Sequence, residues 1–216
     1  MKVLHITLLS ILATGIFVSC QNKTNTVENE AGEVAEATVE SLNYSLDPEK
    51  SLIDWHGTKV TGEHNGTLQF ASGSISVEGD EITAATFEFD MQSIVCLDLE
   101  DEEWNNKLVG HLKSPDFFSA DSFPTAKFEM VSASLVENEE TDNIYNIEGN
   151  LTIKGITNKV SFPANVVMSD GMMNVKAAFE LDRTLWNMTF NSIKFFPSIG
   201  DKMVHDNFDL KVDLLA

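Results

Sequence analysis

The residues of this chain able to do chemistry are a scatter of histidines, a run of carboxylates and two cysteines. Outside the N-terminal stretch the histidines are His56, His64, His111 and His205. No two stand at metal-ligand spacing such as i, i+4 on a helix. His56 follows Trp55 in an alternating segment, so it falls on the wet face if Trp55 faces in. His64 precedes Asn65-Gly66, a turn signal. His111 lies at the end of a predicted helix, where a positive imidazole is favoured, and there it can reach the mouth of whatever the neighbouring strands enclose. The acidic run Asp98, Glu100, Asp101, Glu102, Glu103 lacks the spacing and central glycine of a calcium loop and reads as a solvated helix start. A nucleophile elbow, a phosphate loop, a zinc spacing and a dinucleotide fingerprint are all missing from the sequence. The expectation is therefore no catalytic residue, no metal, no cofactor and no enzyme. The competing catalytic reading rests on His111 with a nearby carboxylate.

The cysteines point elsewhere. Residues 1–19 carry Lys2 and then an apolar run from Val3 to Val18, the layout of an export signal. The run is barely about 18 residues long and holds His5 and several hydroxyls, which disfavours a membrane-spanning helix. Its end, Phe17-Val18-Ser19-Cys20, resembles the lipobox of bacterial lipoproteins, with Phe17 where Leu is usual. That resemblance implies cleavage before Cys20 and acylation of Cys20, placing the protein in the cell envelope. It would be anchored to a membrane by Cys20, with the domain in the periplasm or at the cell surface. A plain secretory signal is the alternative. Cys96 then has no partner, and its setting, Ser93-Ile94-Val95-Cys96-Leu97, reads as a buried small hydrophobe.

Residues 20–43 hold Asn, Thr, Glu and Ala, with no aromatic residue. Such a segment buries too little apolar surface to offset its ordering entropy and reads as a flexible acidic linker. Lys2 gives the leader one positive charge, and residues 20–43 set Lys23 against five glutamates. That leaves residues 44–216 with −17 of the chain's −20. A field of that sign repels nucleic acid and anionic membrane surfaces. Membrane attachment must come from the acyl group on Cys20.

Residues 44–216 read as one domain whose recurring feature is alternation. Phe87 and Phe89 alternate with Thr86, Glu88 and Asp90; Phe128 and Met130 with Lys127 and Glu129; Ile153 with Thr152 and Lys154. Phe162 and Phe179 each sit in a longer run of the same kind, and Phe208 to Leu214 ends the chain so. Period two over eight or nine segments means antiparallel strands with one dry face. Asn65-Gly66, Glu78-Gly79-Asp80, Gly155-Ile156-Thr157-Asn158 and Asp170-Gly171 are the expected turns. Alternation alone does not separate a barrel from a sandwich. One helix, about 101–113, is expected: Asp101 caps it, Trp104, Leu108 and Leu112 share a face, and Ser114-Pro115 stops it. A loop follows with Phe117, Phe118 and Phe123, placed to cover one end of the strands.

Several motifs together resemble the YceI-like family. They are Tyr44 to Ser51, Gly110-His111-Leu112-Lys113-Ser114-Pro115-Asp116-Phe117-Phe118 with Phe123 to Phe128, Gly149 to Val160, Asp182-Arg183-Thr184 with Trp186-Asn187-Met188, and Gly200-Asp201. The resemblance spans 44–216. It implies an all-β fold, a lipocalin-like antiparallel β-barrel of about eight strands, and a bound amphiphile such as a polyisoprenoid or quinone-like lipid. Trp55-His56-Gly57 departs from the early strand usual in the family.

The expected function is a membrane-tethered binding protein for such a lipid, in transport, storage or stress protection. The candidate lining is Trp55, Phe70, Phe87, Phe89, Phe128, Met130, Ile153, Phe162, Phe179, Trp186 and Met188, with His111, Phe117 and Phe118 at the mouth as a gate. Burying a long chain gains ~0.8 kcal/mol per CH₂ before ordering costs. The alternatives are a structural lipoprotein with a filled barrel and an enzyme on an amphiphile. A homodimer is left open.

Overall fold

A computed structural model describes residues 27–28, 30–136 and 143–216. Residues 1–19, expected as an export signal, and Cys20 lie outside the described residues. Among the described residues there are ten strands: β1 (Val27–Glu28), β2 (Leu42–Ser45), β3 (Leu52–Lys59), β4 (Gly62–Glu78), β5 (Glu81–Cys96), β6 (Thr125–Leu135), β7 (Ile144–Ile153), β8 (Ile156–Ser169), β9 (Met172–Asp182) and β10 (Val204–Leu215). Eight of them, β3 to β10, pair with their neighbours antiparallel, and β10 returns to β3. The alternating faces are thus closed into a barrel, which removes the sheet edges a sandwich would leave.

β4 is 17 residues long but β3 only 8. β2 fills the remainder, pairing Tyr44 with Ile75 outside the ring. Asn65-Gly66, expected as a turn, lies inside β4; the chain turns at Val60-Thr61 instead. Gly66 is needed for close approach, because a Cβ there would stand 1.8 Å from the Val95 carbonyl and 2.7 Å from the Trp55 ring. The turns at Gly79 and Gly171 fall as expected, both with positive φ.

The helix, α1, spans Glu102–Lys113. The Asp101 carboxylate accepts from the Trp104 N–H at 3.0 Å, and the helix stops at Ser114 before Pro115. Its apolar face is shorter than expected. Leu108, His111 and Leu112 face the barrel, but Trp104 is 61% exposed with Lys107 Nζ 4.4 Å from its ring. The first turn is fixed instead by Asn105, whose amide donates to the carbonyls of Cys96 and Leu99.

Residues 30–43 were expected in the linker. They run across the outer wall instead. Gly32 bonds Asn150, the Ala35 N–H donates to the Met130 carbonyl at 2.9 Å, and Thr38 donates to Glu78. The contact is made by backbone and small residues, so hydropathy gives no sign of it. Among the described residues no helix is long and apolar enough to cross a membrane.

Candidate functional site

The barrel is hollow. It holds a cavity of about 730 Å³, within the roughly 300–1,000 Å³ of small-molecule sites. Period-two strands put one set of side chains inside, and here that set is apolar and does not fill the space. Trp55, Phe87, Phe89, Phe162 and Phe179 face inward yet keep part of their surface accessible, because the surface they expose is internal.

Six phenylalanines form a continuous wall. Phe89 meets Phe70 at 5.4 Å between ring centroids, Phe70 meets Phe87 at 5.9 Å, and Phe87 meets Phe128 at 6.4 Å. Phe128 then meets Phe162 at 5.8 Å, and Phe162 stacks on Phe179 at 4.2 Å. Phe128 fits because Gly149, diagonal to it on β7, has no side chain; a Cβ there would lie 2.2 Å from its ring. Met130, Ile153 and Met188 complete the expected lining, so ten of the eleven expected residues surround the cavity. Trp186 does not. It is fully buried outside the cavity in the 3₁₀ turn Arg183–Trp186, and its indole N–H donates to the Leu151 carbonyl at 3.1 Å. Its ring is a bolt between that turn and β7.

His111, Phe117 and Phe118 reach the cavity at the helix end. The His111 ring stands edge-on to Phe117 at 5.0 Å and to Phe190 at 4.5 Å, and its Nε2 is 3.0 Å from Asp116. Phe123 is instead 37% exposed and packs beside Gly155. Lys154 locks this cap by donating to the carbonyls of Pro115 and Asn187, and burial pushes its ammonium pKa down. Arg183, 4% exposed, donates to the carbonyls of His205, Met188 and Val204 and so fixes the irregular segment 187–203 over the barrel end.

The polar lining belongs to this end: Thr61, His64, Asn191, Asp201, Lys202 and His205, with Lys59 beside them. The sequence reading missed this rim, since residues 187–203 carry no period. It also missed Ala164 and Ala177 as lining, although their parity was legible.

Behind His64 lies a compact polar cluster. The Asp98 carboxylate accepts from the Asn65 N–H and the Cys96 thiol on Oδ1, and lies 2.8 Å from His64 Nδ1 on Oδ2. Burial pushes the Asp98 carboxyl up, but these three bonds together outweigh it and hold it down at about 2. Burial also pushes the Cys96 thiol up.

A family model described as the YceI-like domain matches residues 44–216. The chain belongs to that family. The YceI-like domain is similar in structure to BcnA of Burkholderia cenocepacia, at 21% identity and a TM-score of 0.62, over 79% of this chain and 99% of that one. It is also similar to a polyisoprenoid binding domain from Saccharophagus degradans implicated in plant cell wall breakdown. There the identity is 14% and the TM-score 0.56, over 79% and 95% of the two chains. At these identities the likeness shows the fold. The comparison with curated proteins gives no match.

Proposed function

We propose that this YceI-like domain binds one long apolar amphiphile, a polyisoprenoid or quinone-like lipid, with its tail among the phenylalanines and its head at the polar rim. The observation that carries this reading is the cavity itself. It is too apolar to hold ordered water, which needs two to four polar partners, and too large to be a packing defect. The name of the Saccharophagus relative supports the same class of ligand. A filled structural barrel has no use for this space. An enzyme would place polar groups deep inside, whereas the polar lining here is confined to the rim.

The domain acts outside the cytoplasm, held to a membrane through acylated Cys20, as a carrier or reservoir rather than a catalyst. Ile193, Phe195 and Phe196, 47%, 52% and 48% exposed, follow the rim residue Asn191. They offer an apolar landing where a lipid would be collected from a bilayer. The test is mass spectrometry of an organic extract of the purified chain. A stoichiometric long-chain lipid is expected, and a clean extract from protein that also takes up no added polyprenol would overturn the reading. Cys20→Ser is expected to move the protein from the membrane to the soluble fraction.

A further inference from the structure

His64 and Asp98 stand 34 residues apart in sequence, yet with Cys96 they bring one nitrogen, one sulfur and one carboxylate oxygen within 4.8 Å of one another. We propose that His64, Cys96 and Asp98 form a binding site for a borderline-soft divalent cation of the zinc class. The site stands independently of what the cavity holds.

The donor set is the first argument. Imidazole, thiolate and carboxylate together are what zinc selects, whereas calcium and magnesium take oxygen alone. Three protein ligands leave the fourth tetrahedral position open. Because His64 and Asp98 keep part of their surface in solvent, water fills that position.

Geometry is the second. Zinc bonds of 2.0–2.3 Å put tetrahedral ligand atoms roughly 3.3–3.6 Å apart. The present separations are 2.8 Å for His64 Nδ1 to Asp98 Oδ2 and 3.2 Å for Cys96 Sγ to Asp98 Oδ1. His64 Nδ1 and Cys96 Sγ lie within 4.8 Å of each other, so side-chain rotations that move a ligand atom by at most about 1.5 Å bring the set to zinc spacing.

Rigidity is the third. Cys96 pairs with Gly66 across β4 and β5, and the Leu97 N–H donates to the Asn65 carbonyl at 2.9 Å. The Asn65 N–H holds Asp98, and Asn105 holds the Cys96 carbonyl. Each ligand thus sits on backbone that neighbouring elements have already fixed, which is how a preorganised site is built. Side-chain exposures of 25% for His64 and 29% for Asp98 give an ion its entry, while Cys96 lies on the inner side.

Proton balance is simple. Without metal, the Cys96 thiol donates to one carboxylate oxygen and the imidazole faces the other. When an ion enters, the thiol proton passes to solvent. The His64 Nδ1 proton, which Asp98 Oδ2 accepts while the site is empty, also leaves as Nδ1 turns to the ion, and the neutral ring takes one back from solvent on Nε2; the carboxylate is already ionised. One proton is released per ion bound.

The test titrates Zn²⁺ alone into the whole chain carrying Cys20→Ser, so that Cys96 is the one thiol. Calorimetry in two buffers of different ionisation heat reads the proton. Co²⁺ in place of Zn²⁺ reads thiolate ligation as a charge-transfer band. One ion per chain, about one proton released and a cobalt–thiolate band displaced by Zn²⁺ are expected. Cys96→Ser should abolish the band and weaken binding by more than the roughly 10–100-fold that loss of an outer-shell partner costs. Asp98→Asn should weaken it in the same direction. Several weak ions with the affinity unchanged in Cys96→Ser would mark adventitious binding to an acidic surface and overturn the proposal. So would the absence of a thiolate band in the protein that retains Cys96, a readout that needs no variant at that position to fold.

Discussion

Asn150 and Gly32 exchange two hydrogen bonds of 2.8 Å, one from the Gly32 N–H to the Asn150 side-chain oxygen and one from its amide back to the Gly32 carbonyl. Asn150 is 4% exposed although it points to the outside of β7, because the N-terminal segment covers it. Its side chain does for one residue what a strand neighbour would do.

Asn150→Ala removes both bonds and leaves the Gly32 groups without that partner. At ~0.5–1.5 kcal/mol per net bond the expected loss is about 1–3 kcal/mol. For a domain of this size that is a fall in Tm of about 2–4 °C per kcal/mol. Hydrogen exchange should speed up over residues 30–36 while the barrel strands stay protected. Unchanged exchange in that segment would mean that the pair does not hold it.

Gly66 and Gly57 make a matched pair for testing the wall. A Cβ at Gly66 meets the backbone oxygen of Val95, which has no freedom to withdraw, whereas nothing lies within 4 Å of one at Gly57. Gly66→Ala is expected to cost more than about 2 kcal/mol, with a change in Trp55 fluorescence. Gly57→Ala is expected to be neutral or to stabilise by up to about 1 kcal/mol, since it only removes freedom from the unfolded chain. Thermal melts of the two variants decide it, and equal effects would refute the close-approach account.

The contrast between these glycines shows what the sequence can and cannot carry. The alternation of Phe87, Phe128 and Phe179 is a local property, so the side of the sheet each faces was legible, as was the cap of α1 at Asp101. Hollowness is not local. It depends on the summed volume around eight strands, on details such as Ala164 standing opposite Ala177. Trp186 was misread because a 3₁₀ turn has no useful period from which to infer its facing. Trp104 was misread because the helical stripe runs one turn beyond the contact. His64, Cys96 and Asp98 meet only through strand register, which no spacing rule expresses. Asn65-Gly66 carries a turn signal, but the Trp55 ring over Gly66 gives the glycine a different reason to be there.

Ala177 offers the sharpest test of the proposed occupant. It lines the cavity with Ala164 on one side and Val212 on the other. In a packed core, added volume costs ~1–3 kcal/mol; here it enters empty space. Ala177→Phe is therefore expected to fold with stability within about 1 kcal/mol of the parent while losing most of its extractable lipid. Lipid recovered in full from a well-folded variant would place the ligand outside the barrel.

On the outer wall, His56 lies between two carboxylates, its Nδ1 2.9 Å from Asp209 and its Nε2 3.3 Å from Glu63. The bond to Asp209 is the chief cause that raises its pKa; burial opposes and Glu63 adds. A raised folded pKa means that the protonated ring is held more tightly in the fold than in the unfolded chain. The resulting stability is fully present below the unfolded value of about 6.5 and is lost as pH rises through the folded value. The ring is 37% exposed, so solvent screening limits the contribution to at most about 1 kcal/mol. Urea unfolding of the parent and of His56→Gln near pH 5.5 and near pH 8.5 should show the parent's advantage at the lower pH and its decline at the higher. Added salt should shrink the low-pH advantage, as exposed ion pairs are screened. A difference that stays flat with pH would mean that His56 contributes by shape and hydrogen bonding alone.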